Sequence, residues 1–112
     1  MLRGGSHVTA LGADEPGKAE LSAGLLRQSL FFCDNRALNV AMGAPAGVGL
    51  GDDVIHAELG EVLAGTKPGR TDAGQVTLFG AVGLPFQDLV AAWHVYQGAR
   101  YDELVQRVDF GA

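Results

Sequence analysis

The chain has 112 residues, of which 47% are hydrophobic and 19% are charged, and its formal net charge at pH 7 is −5. This length suits one domain, residues 1–112, and the hydrophobic content favours a packed core over disorder. The acidic balance and the absence of a Lys/Arg cluster argue against nucleic-acid binding, which needs a basic surface. No apolar run approaches the roughly 18 residues of a membrane span, and the N-terminus does not resemble a signal peptide, so we expect a cytoplasmic protein without membrane contact.

The N-terminal part of the chain predicts a strand, a helix and a second strand. Residues 7–11 are rich in β-forming types, and a loop containing Gly and Pro follows them at 12–17. Ser22 is a suitable N-cap for a short helix over 23–29. Residues 30–34 form a short continuous apolar run, which is typical of a strand buried on both faces. Together these elements predict a βαβ unit.

The middle of the chain predicts two helices separated by a loop. Residues 35–42 predict one or two helical turns with Asn35 as the N-cap. Residues 43–51 contain four glycines and one proline, which predicts a loop. The apolar residues of 52–64 recur at helical spacing after an acidic pair, so this segment is predicted as a single helix.

The C-terminal part predicts a third strand at 76–79, followed by a glycine-containing turn at 80–83. Pro85 suits the first position of a helix that reaches about Gln97 with apolar residues along one side. The tail 101–108 also has apolar residues at helical spacing, which predicts a continuation or restart of that helix. The alternation of strands and helices predicts an α/β protein with a mostly parallel sheet of about three strands.

No metal or disulfide site is predicted from the cysteine and histidine pattern. Cys33 is the only cysteine, and its apolar neighbours predict a buried structural thiol. The three histidines share no ligand spacing, and two of them, His56 and His94, fall on predicted helices. Glu58 and Glu61 are expected to lie side by side on a hydrated helix face.

The loop after the first strand is the best candidate for chemistry, because ligands of open parallel sheets bind beyond the carboxyl ends of the strands. A carboxylate at that place, Asp14, could pass a proton to or from an amine. In Asp-Glu-Pro-Gly the same residue could instead stabilise a turn, and the local sequence by itself favours that interpretation. Lys18 could bind an anion, although an exposed loop lysine is usually only solvated. No Gly-x-Gly-x-x-Gly follows a predicted strand, so the phosphate-binding loop of a dinucleotide site is not expected in this chain.

Several blocks of the sequence resemble one known family. Residues 12–21, GADEPGKAEL, resemble the Gly-Ala-Asp-x-Pro-Gly-Lys-x-Glu-Leu signature of the ornithine cyclodeaminase and mu-crystallin family. Later blocks of the same family are matched in the same order at residues 57–65, 68–70, 77–79, 83 and 88–89. The resemblance covers about residues 2–100, and its specificity comes from the ordered set of blocks.

The resemblance implies a Rossmann-like fold and NAD(P)-dependent chemistry on amino or imino acids, in which a hydride moves between nicotinamide and the carbon that bears nitrogen. It implies that Asp14 is the catalytic aspartate that relays a proton near the substrate nitrogen. It also implies that Ala81 and Gly83 lie at the cofactor, near the nicotinamide. The family usually has a serine at the position of Ala81, so a hydroxyl contact to the cofactor is missing here.

The resemblance covers only the last third or so of such an enzyme. It implies that the substrate-binding and dimerisation domain, and the first half of the Rossmann domain with its glycine fingerprint, lie outside this chain. We therefore expect no cofactor to be bound by this chain alone, and an enzyme fragment that is inactive without a missing N-terminal partner chain. The alternative is a small self-associating module, a homo-oligomer that covers the open sheet edge at residues 7–11. A complete small enzyme that uses Asp14 with Lys18 or Glu20 ranks last, because no supporting nucleophile or base is present at a suitable spacing.

Overall fold

A single four-stranded parallel sheet forms the centre of the computed structural model, which describes residues 2–111. The strands are β1 (His7–Ala10), β2 (Leu30–Cys33), β3 (Ile55–Glu58) and β4 (Thr77–Gly80), and their order in the sheet is β1-β4-β2-β3. Every neighbouring pair is parallel. The α/β class is therefore confirmed, with one strand more than predicted. The two strands of the predicted βαβ unit are not neighbours, because β4 lies between them.

The α-helices are α1 (Ala23–Arg27), α2 (Arg36–Met42), α3 (Ala44–Gly47), α4 (Leu59–Leu63) and α5 (Pro85–Ala99). Both predicted N-caps are confirmed. The Ser22 hydroxyl accepts a hydrogen bond from the Leu25 backbone N–H at 3.2 Å, and the Asn35 side chain accepts one from the Leu38 N–H at 2.9 Å. These caps satisfy backbone donors that the first helical turn leaves without partners.

The prediction of one helix over 52–64 is wrong. A short 3₁₀ turn, Asp52–Val54, leads into β3, and α4 begins only at Leu59. Ile55 and Ala57 are buried, whereas the residues that alternate with them are half-buried, which is the two-residue period of a strand. Pairing with β2 provides hydrogen-bond partners for the backbone of this segment. The helical spacing of its apolar residues therefore does not decide its structure. His56 therefore lies in a strand and not on a helix.

The expected polar helix face at Glu58 and Glu61 is also corrected. Glu58 is the last residue of β3, and its carboxylate accepts a hydrogen bond from the Arg36 backbone N–H at 2.7 Å. The Glu58 N–H in turn donates to Oε2 of Glu61 at 2.8 Å, which covers one free donor at the start of α4. These two acids therefore connect elements of the fold.

Two further segments differ from their predictions. Residues 44–47, predicted as loop, form the single turn of α3, in which Pro45 lies near the start, where a helix tolerates proline. Residues 101–108, predicted as helical, consist of turns and irregular structure. Leu104 is 93% exposed there, so no packing surface stabilises a short helix of marginal intrinsic stability.

The core lies around the middle strands and α1. Phe31, Cys33 and Leu78 have no exposed surface, and Leu26 of α1 packs on them with 1% exposure. The prediction that Cys33 is buried is confirmed. Ala13, from the loop after β1, belongs to the same core cluster, so this loop is attached to the body of the molecule.

Helix α5 begins at Pro85 as predicted, but none of its residues is buried. Its large apolar side chains are all at least half exposed: Phe86, Leu89, Val90, Trp93, Val95 and Tyr96. The radius of gyration is 17.9 Å, whereas a compact chain of this length has about 13 Å. The helix therefore lacks a packing partner within residues 2–111. Across these same residues, no helix combines the length and apolar character of a membrane-crossing segment.

Candidate functional site

The carboxyl ends of all four strands lie at the same edge of the sheet, because the strands are parallel. Strands β1 and β4 are neighbours there, and the Ala81 N–H donates to the Ala10 carbonyl at 3.2 Å. The structure thus brings together the loop that carries Asp14 and the segment that carries Ala81 and Gly83. The first residues after two strands that are distant in the sequence thus lie at the edge where ligands of parallel sheets bind.

Asp14 is exposed and forms an ion pair with Lys18. Lys18 Nζ lies 2.7 Å from Asp14 Oδ1 and 3.7 Å from a carboxylate oxygen of Glu15. The hydrogen bond from Lys18, supported by its charge, lowers the pKa of the Asp14 carboxyl below its ordinary value. The same hydrogen bond raises the pKa of Lys18. Asp14 is therefore an ionised carboxylate at neutral pH, able to bind a cationic amine or accept a proton.

The turn predicted at Asp-Glu-Pro-Gly is present directly after Asp14. The Lys18 N–H donates to the Glu15 carbonyl at 3.2 Å, and Gly17 has φ +88°, the left-handed conformation that a turn of this type needs. The turn and the Asp14–Lys18 pair coexist, because the turn reverses the chain and returns Lys18 to Asp14.

Helix α3 packs closely against the backbone of this loop. A Cβ at Gly47 would overlap the Lys18 carbonyl oxygen and would lie 2.8 Å from its carbonyl carbon and 3.2 Å from the Ala19 Cα. On the other side, the Gly12 N–H donates to Glu20 Oε2 at 2.7 Å. The loop therefore has defined contacts at both of its ends. One of these contacts is with α3, which the sequence did not predict.

Asp34 is a polar residue of this edge that the sequence analysis missed. It follows β2, and its Oδ2 accepts hydrogen bonds from the Val82 and Gly83 N–H groups at 3.0 and 2.8 Å. Its Oδ1 accepts from the Asn35 N–H at 2.8 Å and from Asn39 Nδ2 at 2.9 Å. An acid placed directly after a buried strand was the available signal, because it marks the same sheet edge as Asp14.

The segment after β4 contains only small or apolar side chains. Ala81 is half-buried and presents a methyl group where the family resemblance leads one to expect a hydroxyl. Gly83 has φ +94°, which favours glycine, and a Cβ there would meet no atom within 4 Å. Gly80 is tightly packed, since a Cβ would lie 2.7 Å from the Phe31 ring. The segment thus exposes its backbone directly after the tightly packed end of β4.

Cys33 ends β2 at the same edge of the sheet but has no exposed surface. Burial, assisted by the nearby Glu58 carboxylate, raises the pKa of the Cys33 thiol from 9.0 to about 12, so Cys33 is a poor nucleophile. His7 lies 2.7 Å from the Thr77 hydroxyl, at the amino end of β4. Within residues 2–111, no group of three or more His, Cys, Asp or Glu side chains is arranged to hold a metal ion.

Comparison with known proteins adds an independent finding. The family model described as "Ornithine cyclodeaminase/mu-crystallin family" matches residues 1–103. The curated alanine dehydrogenase of Archaeoglobus fulgidus is 35% identical over 113 residues, which cover 95% of this chain and 34% of that protein.

Two solved structures share the fold. One is an archaeal alanine dehydrogenase dimer with bound NAD, with a TM-score of 0.81 and 32% identity, covering 97% of this chain and 35% of that chain. The other is the iminosuccinate reductase of Paracoccus denitrificans in complex with NAD+, with a TM-score of 0.80 and 34% identity, covering 96% of this chain and 34% of that chain. The chain thus spans about a third of the length of these relatives.

Proposed function

The chain belongs to the ornithine cyclodeaminase/mu-crystallin family, and on this premise we propose that it supplies the nicotinamide side of the active site of an NAD(P)-dependent enzyme acting on amino or imino acids. The names of its relatives support this substrate class, since one is an alanine dehydrogenase and another an iminosuccinate reductase. The observation that carries the proposal is the meeting of the Asp14 loop with segment 81–83 at the carboxyl ends of β1 and β4.

In this proposal Asp14 relays a proton near the nitrogen of the substrate. The support is its position at the ligand-binding edge and its ionised state, which the ion pair with Lys18 maintains. Lys18 must release the carboxylate when a substrate ammonium group takes its place. The nicotinamide, when bound, supplies or accepts the hydride.

The described residues fit one end of the coenzyme only. Segment 81–83 places the small residues Ala81 and Gly83 at the edge of the sheet, with free space beside Gly83, as a flat ring requires. The Gly-x-Gly-x-x-Gly loop that would hold the pyrophosphate is absent from the sequence. The chain therefore suits the nicotinamide end, and the phosphate contacts must come from other residues.

We further propose that residues 1–112 correspond to the C-terminal part of a Rossmann-like domain followed by the C-terminal helix. The substrate-binding part and the phosphate-binding half are then supplied from outside these residues, by more of the same polypeptide or by a partner chain. Helix α5 supports this, because none of its residues is buried and apolar patches of that kind are usually covered. The 112 residues by themselves are then inactive.

A second candidate function is a self-associating module that has lost the reaction. Its support is β1, which lies at the end of the sheet with one side unpaired within the described residues. Unpaired strand edges invite pairing with another chain. Sedimentation of the 112-residue chain at micromolar concentration distinguishes this candidate, since a monomer alone would contradict it.

The first experiment uses the 112-residue chain alone. We expect no oxidation of amino acids with NAD+ and no tight binding in a fluorescence titration with NADH, because the phosphate contacts are missing. A dissociation constant in the micromolar range would refute the claim that the chain carries only the nicotinamide side.

The second experiment restores the missing parts in a hybrid enzyme, in which these residues replace the matched third of the Archaeoglobus fulgidus alanine dehydrogenase. We expect NAD+-dependent oxidation of alanine, and a loss of about 100-fold or more in kcat on Asp14→Asn. Glu15→Gln is the matched control, because it removes an exposed carboxylate from the same loop and should leave kcat unchanged. A folded hybrid that binds no NAD+ would overturn the proposed function.

A further inference from the structure

The Asp34 carboxylate follows β2 and joins it to the start of α2 and to segment 81–83 through four N–H donors. Two are backbone groups of Val82 and Gly83, at 3.0 and 2.8 Å from Oδ2. The other two are the Asn35 N–H and the Asn39 side-chain amide, at 2.8 and 2.9 Å from Oδ1. Both carboxylate oxygens are therefore engaged, each with two donors.

The carboxylate is itself held in place from the side of α2. Asn39 has no exposed surface, and its amide nitrogen donates both to Asp34 Oδ1 and to the Asn35 carbonyl, at 2.9 and 3.0 Å. These two acceptors fix the orientation of the amide. No Lys, Arg or His in residues 2–111 forms an ion pair with Asp34. Four N–H donors hold this partly buried carboxylate in place of an ion pair, so the geometry of the donors matters.

Segment 81–83 has few other constraints. Beyond the Ala81 N–H bond to the Ala10 carbonyl, the described hydrogen bonds of its backbone N–H groups all go to Asp34. Gly83 adopts φ +94°, a conformation available to a flexible residue among several others. Within residues 2–111, the hydrogen bond to Asp34 is the only described bond of the Gly83 N–H, so the carboxylate selects this conformation over its alternatives.

We propose that Asp34 is a positioning residue that fixes the backbone of segment 81–83 against the nicotinamide. This rests on the proposed function, in which the same segment borders the coenzyme. Precise placement of a ring for hydride transfer needs a supporting shell of this kind behind the contacting residues. Asp34 itself touches neither substrate nor coenzyme.

Asp34→Asn is the informative substitution, because it keeps the shape but replaces one acceptor oxygen with an NH2 group. In either orientation of the amide, two of the four N–H donors then face another donor. Asp53→Asn is the matched control, since Asp53 is exposed and lies before β3, at the opposite end of the sheet.

The first measurement is amide hydrogen exchange in the 112-residue chain. We expect the Val82 and Gly83 amides of Asp34→Asn to exchange about tenfold faster or more, while Leu78 in β4 keeps its protection, and Asp53→Asn changes none of them. Should Asp34→Asn fail to fold, the unsubstituted chain still decides, because Val82 and Gly83 must exchange far more slowly than the exposed tail. Equal exchange rates there would overturn the proposal.

The second measurement separates positioning from a merely structural role. In the hybrid alanine dehydrogenase, Asp34→Asn should raise KM for NAD+ by about tenfold or more, with KM for alanine much less affected. A purely structural role would lower the amount of active enzyme and leave KM for NAD+ unchanged, which would overturn the inference. If the unsubstituted hybrid binds no NAD+, the proposed function fails first, and the positioning role fails with it.

Discussion

The contact between α3 and the Asp14 loop can be tested by adding one methyl group at Gly47. An alanine Cβ would overlap the Lys18 carbonyl oxygen and lie 2.8 Å from the carbonyl carbon, whereas ordinary contact begins at about 3.5 Å. The obstacle is backbone, so no side chain can rotate away, and either α3 or the loop must move by roughly 0.7 Å or more. We expect Gly47→Ala to lower the free energy of unfolding by about 1–3 kcal/mol.

Urea unfolding followed by circular dichroism measures this change. Gly24→Ala is the matched control, because Gly24 is also a helical glycine but a Cβ there meets no atom within 4 Å. That control should stabilise the chain by about 0.5–1 kcal/mol, since alanine favours a helix. The two substitutions are thus expected to have opposite signs. A Gly47→Ala variant that is as stable as Gly24→Ala would refute the close approach of α3 to the Asp14 loop.

Three further outcomes are expected. Leu26→Ala should lower the free energy of unfolding by about 2–5 kcal/mol in urea, whereas Leu63→Ala, which changes a side chain that is 80% exposed, should stay within about 0.5 kcal/mol. Ala81→Ser in the hybrid enzyme should strengthen NAD+ binding, measured by titration, by about 2- to 12-fold, the worth of one hydrogen bond of about 0.5–1.5 kcal/mol; unchanged affinity would contradict the placement of Ala81 at the coenzyme. Because the Cys33 pKa rises from 9.0 to about 12 on folding, the folded chain retains a proton that the unfolded chain releases, so stability falls as pH rises above about 9. Urea midpoints at about pH 8 and pH 10 should show a smaller fall for Cys33→Ala, and an equal fall would argue against the buried thiol.

The sequence predicts the parts of the fold that depend on neighbouring residues. The caps at Ser22 and Asn35 are formed by side chains that act within three positions, so a local pattern reveals them. The start of α5 at Pro85 is local in the same way. Strand β3 was missed because the alternation at Ile55 and Ala57 is short and overlaps a helical spacing, and only pairing with β2 resolves the choice.

The candidate site likewise contains one residue that the sequence indicates and other contacts that depend on long-range pairing. The position of Asp14 after the first predicted strand makes it a candidate, its local sequence favours a turn, and the ordered blocks of the family favour the catalytic role; the structure contains the turn. Asp34 could not be assigned a role from sequence, because its partners lie 48 and 49 positions away and meet it only when β2 and β4 pair. The support of the loop by Gly47 has the same origin, a long-range contact of two irregular segments.

The position of β4 between β1 and β2 has a consequence for how the chain acquires its structure. While the chain emerges from the ribosome, β2 and β3 can pair early, since fewer than 30 residues span them. β1 has no partner among the described strands until residues 77–80 arrive, because its pairing is with β4. Among the described strands, the first in chain order therefore finds its partner only after the last one has been made, so its pairing is the most non-local contact of the sheet.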